Sequence, residues 1–168
     1  MNQLHPGARW QFRFGGYLLF GILGIFLGFW IIAPLAGVLL GLAGVSSSSV
    51  MAIILLSVFG YLIFVIIASE IYARMSYNRW FYEFTDDGLK LERGIIWKRY
   101  SNVPYERIQN VDVHRGIIAR MFGFSSLMIQ TAGYSAQPHA EGYIPAVEMS
   151  QAEQIRTFVM KKITSRRK

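Results

Sequence analysis

From Phe14 to Ser69 the sequence contains no Asp, Glu, Lys, Arg or His. A bilayer's hydrocarbon core is crossed by about 20 apolar residues of helix, because each adds about 1.5 Å of rise. The stretch is too long for one crossing and long enough for two with a turn. A water-soluble domain would need polar faces within this length, and none occurs. The segment therefore reads as a transmembrane helical hairpin over residues 14–74, with helices at about 14–43 and 50–72.

Pro34 lies inside the first helix and removes a backbone donor, which predicts a kink there. Gly24 and Gly28, and then Ala33, Gly37 and Gly41, recur at a spacing that lets helix backbones approach closely in lipid. Such a seam serves either packing against the second helix or a dimer contact. Ser46 to Ser49 form the polar cluster of the stretch and its natural turn. Glu70, at the end of the second helix, can reach headgroup water. The apolar run is far longer than the core of a signal peptide, so no cleavage is expected. Arg9 and Arg13 precede the hairpin, Arg74 and Arg79 follow it, and the turn carries no Lys or Arg. The positive-inside bias then places both termini in the cytoplasm, on a multi-pass protein of the cell membrane.

Residues 1–13 read as a cytoplasmic lead, and roughly 95 residues follow the hairpin, enough for one small domain with its own core, residues 75–165. Its pattern is that of strands. Trp80, Tyr82 and Phe84 alternate with Phe81, Glu83 and Thr85, and Asp86-Asp87-Gly88 is a turn signal. A return strand carries Leu89 and Leu91. After Gly94 a third strand spans Ile95 to Asn102 and is ended by Val103-Pro104. Arg107 to His114 is a fourth strand, in which a bulge near Gln109-Asn110 would turn Ile108, Val111 and Val113 inward. Ile117, Ile118, Met121 and Phe122 read as plugs in a short connection. Ser126 to Thr131 and Gly142 to Val147 are further strands, with a polar loop from Tyr134 to Glu141 between them. Ser150 with Glu153 fits a capping box, and Ala152, Ile155, Val159 and Ile163 form the apolar stripe of a final helix over the sheet.

The chemistry legible in the sequence is sparse. There are no cysteines, which excludes disulfides, thiolate metal sites and Cys nucleophiles. His5, His114 and His139 have no metal-like spacing and read as surface or turn residues. No nucleophile elbow, phosphate loop or dinucleotide fingerprint occurs. The net charge of +7 is concentrated in a tail, Lys161, Lys162, Arg166, Arg167 and Lys168, of which residues 166–168 form the extreme basic end. Lys90, Arg93, Lys98 and Arg99 cluster around the second and third strands. With Arg74, Arg79 and the tail they are the candidate residues for binding lipid phosphates or an acidic partner. Solvated edge charges that discourage strand aggregation are the alternative use of the same residues.

Trp80-Phe81 with Thr85 and Gly88, then Gly94, Val103-Pro104, Ile108-Gln109-Asn110-Val111, Phe122-Gly123 and Ile129-Gln130-Thr131-Ala132-Gly133 resemble the bacterial and archaeal pleckstrin-homology-like domains. More narrowly they resemble the membrane-anchored, YdbS-like branch, over about Arg9 to Ile163. The resemblance implies an α+β membrane protein: a two-helix hairpin, then a bent antiparallel sheet or barrel of about seven strands capped by one helix. The residues themselves show one strand fewer. The resemblance supplies no catalytic residues and no cofactor.

Three functions are compatible with the sequence. The first is a non-catalytic scaffold at the cytoplasmic membrane face, binding a protein partner or copies of itself. The second is anionic-lipid sensing through the basic residues. The third is a small membrane enzyme whose site assembles only in three dimensions. The basic character forms no broad face for nucleic acid.

Overall fold

The computed structural model describes residues 1–131 and 142–166. The chain divides into two compact units, Phe12–Ala73 and a second made of Met1–Gln11 with Arg74–Lys168.

The first unit is helical. Helix α1 (Ala8–Leu27) runs through a single π-helical turn at Gly28–Ile32 into α2 (Ala33–Leu42), and α3 spans Ser47–Asn78. The wide turn falls just ahead of Pro34, whose ring cannot sit over a regular preceding turn. Ala8–Leu42 and Ser48–Asn78 are each long and apolar enough to cross a membrane.

The serines are not the turn itself. Gly44 adopts φ +65°, and the amide of Val45 returns to the Leu40 carbonyl at 3.2 Å, closing the C-terminus of α2. Ser46 then caps α3, its Oγ accepting from the Ser49 amide at 3.4 Å. Within the unit, Gly16 lies against Ser69, and Gly24 leaves the space that the Tyr61 ring fills, with the Tyr61 hydroxyl donating to the Phe20 carbonyl. Of the small residues expected to form a seam, Gly24 makes a close approach to α3, whereas Gly28, Gly37 and Gly41 face open space. Glu70 is more than an interfacial carboxylate: Arg13 donates to it twice, Nε to Oε2 at 2.6 Å and Nη2 to Oε1 at 2.8 Å.

The second unit holds two antiparallel sheets and has an α+β architecture. One sheet has the order β1 (Asn2–Gln3), β2 (Phe81–Phe84), β3 (Gly88–Arg93), β4 (Arg99–Pro104). The other has the order β5 (Ile108–His114), β6 (Phe124–Thr131), β7 (Gly142–Glu148). A 3₁₀ turn at Tyr105–Arg107 joins them, α4 (Ile117–Met121) connects β5 to β6, and α5 (Met149–Arg166) follows β7.

The strand that the sequence pattern lacks lies in the N-terminal lead. Asn2 and Gln3 pair with Tyr82 and Phe81, and the His5 amide donates to the Ala146 carbonyl on β7 at 3.0 Å. Those few residues link both sheets. Leu4 and Ala8 are buried with them.

The core follows strand alternation. Leu89 and Leu91 of β3, Val103 of β4, Ile108 and Val111 of β5, Leu127 and Ile129 of β6 and Ile144 of β7 are buried. The register slips between Ile108 and Asn110, so Gln109 is the extra residue of a bulge and Ile108 and Val111 both turn inward. Val113 is half-buried. Helix α5 packs Ala152, Val159 and Ile163 onto this core, and the Phe158 ring meets Phe84 and Tyr105 edge-on. Because α5 begins at Met149, Ser150 lies inside its first turn rather than at the cap position.

Two expectations about apolar residues fail. Ile95 to Lys98 do not form strand: β4 begins at Arg99, and Gly94 at φ +126° packs under the Trp97 carbonyl in a tight tip. Ile117 and Met121 are not plugs, being 70% and 74% exposed. Ile118 and Phe122 are half-buried, as a five-residue helix can turn only one side inward.

Candidate functional site

The basic residues singled out in the sequence fall into separate groups. Around the β3–β4 tip, Arg79 Nη1 donates to the Ile95 carbonyl and so holds the base of the tip. Arg93 and Arg99 are directly opposite each other across β3 and β4. Like charges at opposed strand positions repel. Burial, and after it the nearby Arg99, lowers the Arg93 guanidinium from its ordinary value. Lys98 Nζ donates to Glu92 Oε1 at 2.9 Å. That bond holds the Glu92 carboxyl below the usual carboxylate range and raises Lys98.

Lys90 lies mid-strand and exposed, opposite Glu83 of β2. Arg74 is an exposed residue near the end of α3. On α5, Lys161 is exposed, while Lys162 sits 3.6 Å from Asp86 Oδ1 and 5.8 Å over the Phe158 ring. Arg166 is the last residue of α5, and Arg167 and Lys168 lie outside the described residues. So do His139, the loop from Tyr134 to Glu141 apart from its flanking strands, and Ala132-Gly133 of the resemblance motif.

Two surface features were not legible in the sequence. The first is a shallow groove of about 430 Å³ between β5 and the start of α5, lined by Asp112, His114, Arg115, Met149, Glu153 and Arg156 among others. Strand β5 is the edge of its sheet. Asp112 accepts from Asn110 Nδ2 at 2.9 Å and from Gln130 Nε2 at 2.8 Å, and Glu153 lies 3.6 Å from Arg156. Asp112 is thus hydrogen-bonded within the domain and Glu153 is paired with Arg156, while Arg115 also lines the groove. An edge strand beside a groove can accept an extended segment by main-chain pairing.

The second feature is apolar. Ile96 and Trp97 at the β3–β4 tip are 83% and 87% exposed, with Tyr100 also exposed beside them. Strand alternation gave no sign of this, since it reads Trp97 as one face of a strand.

His5 is a turn residue, its Nδ1 accepting from the Gly7 amide at 3.1 Å. Among the described residues no group of three or more histidine and carboxylate side chains gathers as metal ligands would.

A family model described as a bacterial PH domain matches residues 16–163. The chain is 29% identical over 93 residues to the transmembrane protein YdbT of Bacillus subtilis (strain 168), covering 55% of this chain and 18% of that protein. It is 28% identical over 94 residues to the transmembrane protein YdbS of the same organism, covering 56% of this chain and 55% of that protein. The chain therefore spans about half the length of one of these curated relatives and under a fifth of the other. No solved structure matches.

Proposed function

The chain belongs to the bacterial PH domain family, in its YdbS-like, membrane-associated kind, and on that premise we propose that it is a non-catalytic binding module anchored by residues 14–74. The hairpin crosses the cell membrane twice and leaves both termini, and the PH-like domain of about residues 75–165, in the cytoplasm. Arg9, Arg13, Arg74 and Arg79 flank the spans and the turn carries no cation, which supports that orientation. The domain acts as a scaffold for a protein partner or for further copies of the chain.

The observation that carries the reading is the groove between the edge strand β5 and α5. An extended segment would pair with the β5 backbone, and acidic side chains on it would meet Arg115 and compete with Glu153 for Arg156. Affinity purification from native membranes in mild detergent tests this. The expected result is a stoichiometric second protein, or a defined oligomer, that is lost from the Arg115→Glu/Arg156→Glu variant. Recovery of a monomer alone, or of a partner indifferent to that variant, contradicts it.

A further inference from the structure

The second unit carries two exposed apolar tips, and both are tied to the points where the chain leaves that unit for its apolar spans. The β3–β4 tip presents Ile96 and Trp97, and Arg79, directly after α3, holds its Ile95 carbonyl. Helix α4 presents Ile117 and Met121, and the ring of the adjoining Phe122 stacks on Trp10 at 4.8 Å, just before the unit ends at Gln11. The two departure points are themselves joined. Arg9 lies 4.5 Å over the Tyr77 ring, and the Tyr77 hydroxyl donates to the Leu4 carbonyl at 3.1 Å. The tips therefore flank one pair of helix ends.

Each tip also has cationic charge beside it. Arg93 and Arg99 oppose each other at the base of the first, and exposed Arg120 lies on the second. An anion between Arg93 and Arg99 would relieve the repulsion that their register imposes. Trp and Ile at the point of a hairpin, with arginines one step behind, match the layering of a bilayer interface: apolar boundary first, phosphate next. A stable protein–protein contact needs about 800 Å² on each side, far more than a convex point of two side chains provides. A tether that keeps the tips near a bilayer lets so small a contact suffice.

We propose that Ile96–Trp97 and Ile117/Met121 are membrane-inserting tips, and that Arg93, Arg99 and Arg120 take the phosphates of anionic lipid, seating the domain on the bilayer that anchors it. This rests on the hairpin crossing the membrane and is independent of the β5–α5 groove.

The chain has no cysteine, so a single introduced thiol carries a unique label. Ile96→Cys, Met121→Cys, Ile54→Cys and Gln130→Cys are each labelled with an environment-sensitive dye in the full chain. One copy is placed in each nanodisc of phosphatidylcholine with phosphatidylglycerol. Ile54 lies within α3, and Gln130 is an exposed position on β6. The expected result is quenching by spin-labelled lipid at 54, 96 and 121 and quenching by aqueous iodide at 130. In neutral phosphatidylcholine the ratio of seated to free domain, read from the quenching at 96 and 121, should fall by roughly fivefold for each arginine that contributes. Quenching at 54 with 96 or 121 as open to iodide as 130 overturns the proposal and leaves the anchor standing. No lipid quenching at 54 removes the anchor, and the proposal with it. Equal quenching in neutral and anionic discs overturns the role of the arginines.

Discussion

Removing the Glu70 carboxylate should loosen the helical hairpin. Arg13 reaches Glu70 through two charge-assisted hydrogen bonds, at 2.6 and 2.8 Å. Breaking a fully buried pair of this kind costs about 3–5 kcal/mol, because it strands one charge. Here the side chains keep 23% and 39% of their exposure, so solvent screens part of the interaction and about 1.5–3 kcal/mol remains. Glu70→Ala should lie at the top of that range and Glu70→Gln, which keeps an acceptor, at the bottom. Arg13→Gln/Glu70→Gln should return to within about 1 kcal/mol of the parent, since no charge is left unmatched. The assay is reversible unfolding by SDS in bicelles, followed by energy transfer between dyes at Leu18→Cys and Ile67→Cys. A loss below about 0.5 kcal/mol for Glu70→Ala, or a double-mutant cycle with no coupling, would refute the reasoning.

Two further outcomes concern the β unit. A Cβ at Gly88 would press into the Val103 carbonyl, a backbone atom of β4, so Gly88→Ala should cost about 2–3 kcal/mol. A lowered Tm in detergent, with Gly116→Ala unchanged as the open-space control, checks this. Burial raises the Tyr82 phenol above its ordinary value. The folded state then resists ionisation while the unfolded chain ionises near pH 10, so stability is whole below that pH and lost as pH climbs through the folded value. Tyr82→Phe should flatten the loss above about pH 10 in a denaturant series, and parallel curves for the two proteins would exclude the effect.

The two apolar helices were legible because an uncharged run from Phe14 to Ser69 is long enough for two helices of membrane-crossing length with a turn between them. The bulge was legible too, since Ile108 and Val111 cannot share a face without an extra residue. Other features depend on partners distant in sequence. Asn2-Gln3 is a strand only because Phe81 and Tyr82 offer an edge, and two residues carry no period. Ile95 to Lys98 alternate as a strand would, yet Gly94 under the Trp97 carbonyl commits them to a tip. The candidate basic residues were visible as charges, but their grouping was not. Register alone sets Arg93 against Arg99, and a side-chain bond diverts Lys98 to Glu92.

The central claim is a two-span anchor with the domain on the cytoplasmic side. Single cysteines at Ser48, in the first turn of α3, and at Gln130, on β6, can be probed in whole cells with a membrane-impermeant thiol reagent. The account predicts that Ser48→Cys is labelled in intact cells and Gln130→Cys only after permeabilisation. Labelling of Gln130→Cys in intact cells, or release of the chain from membranes by alkaline carbonate, would contradict it.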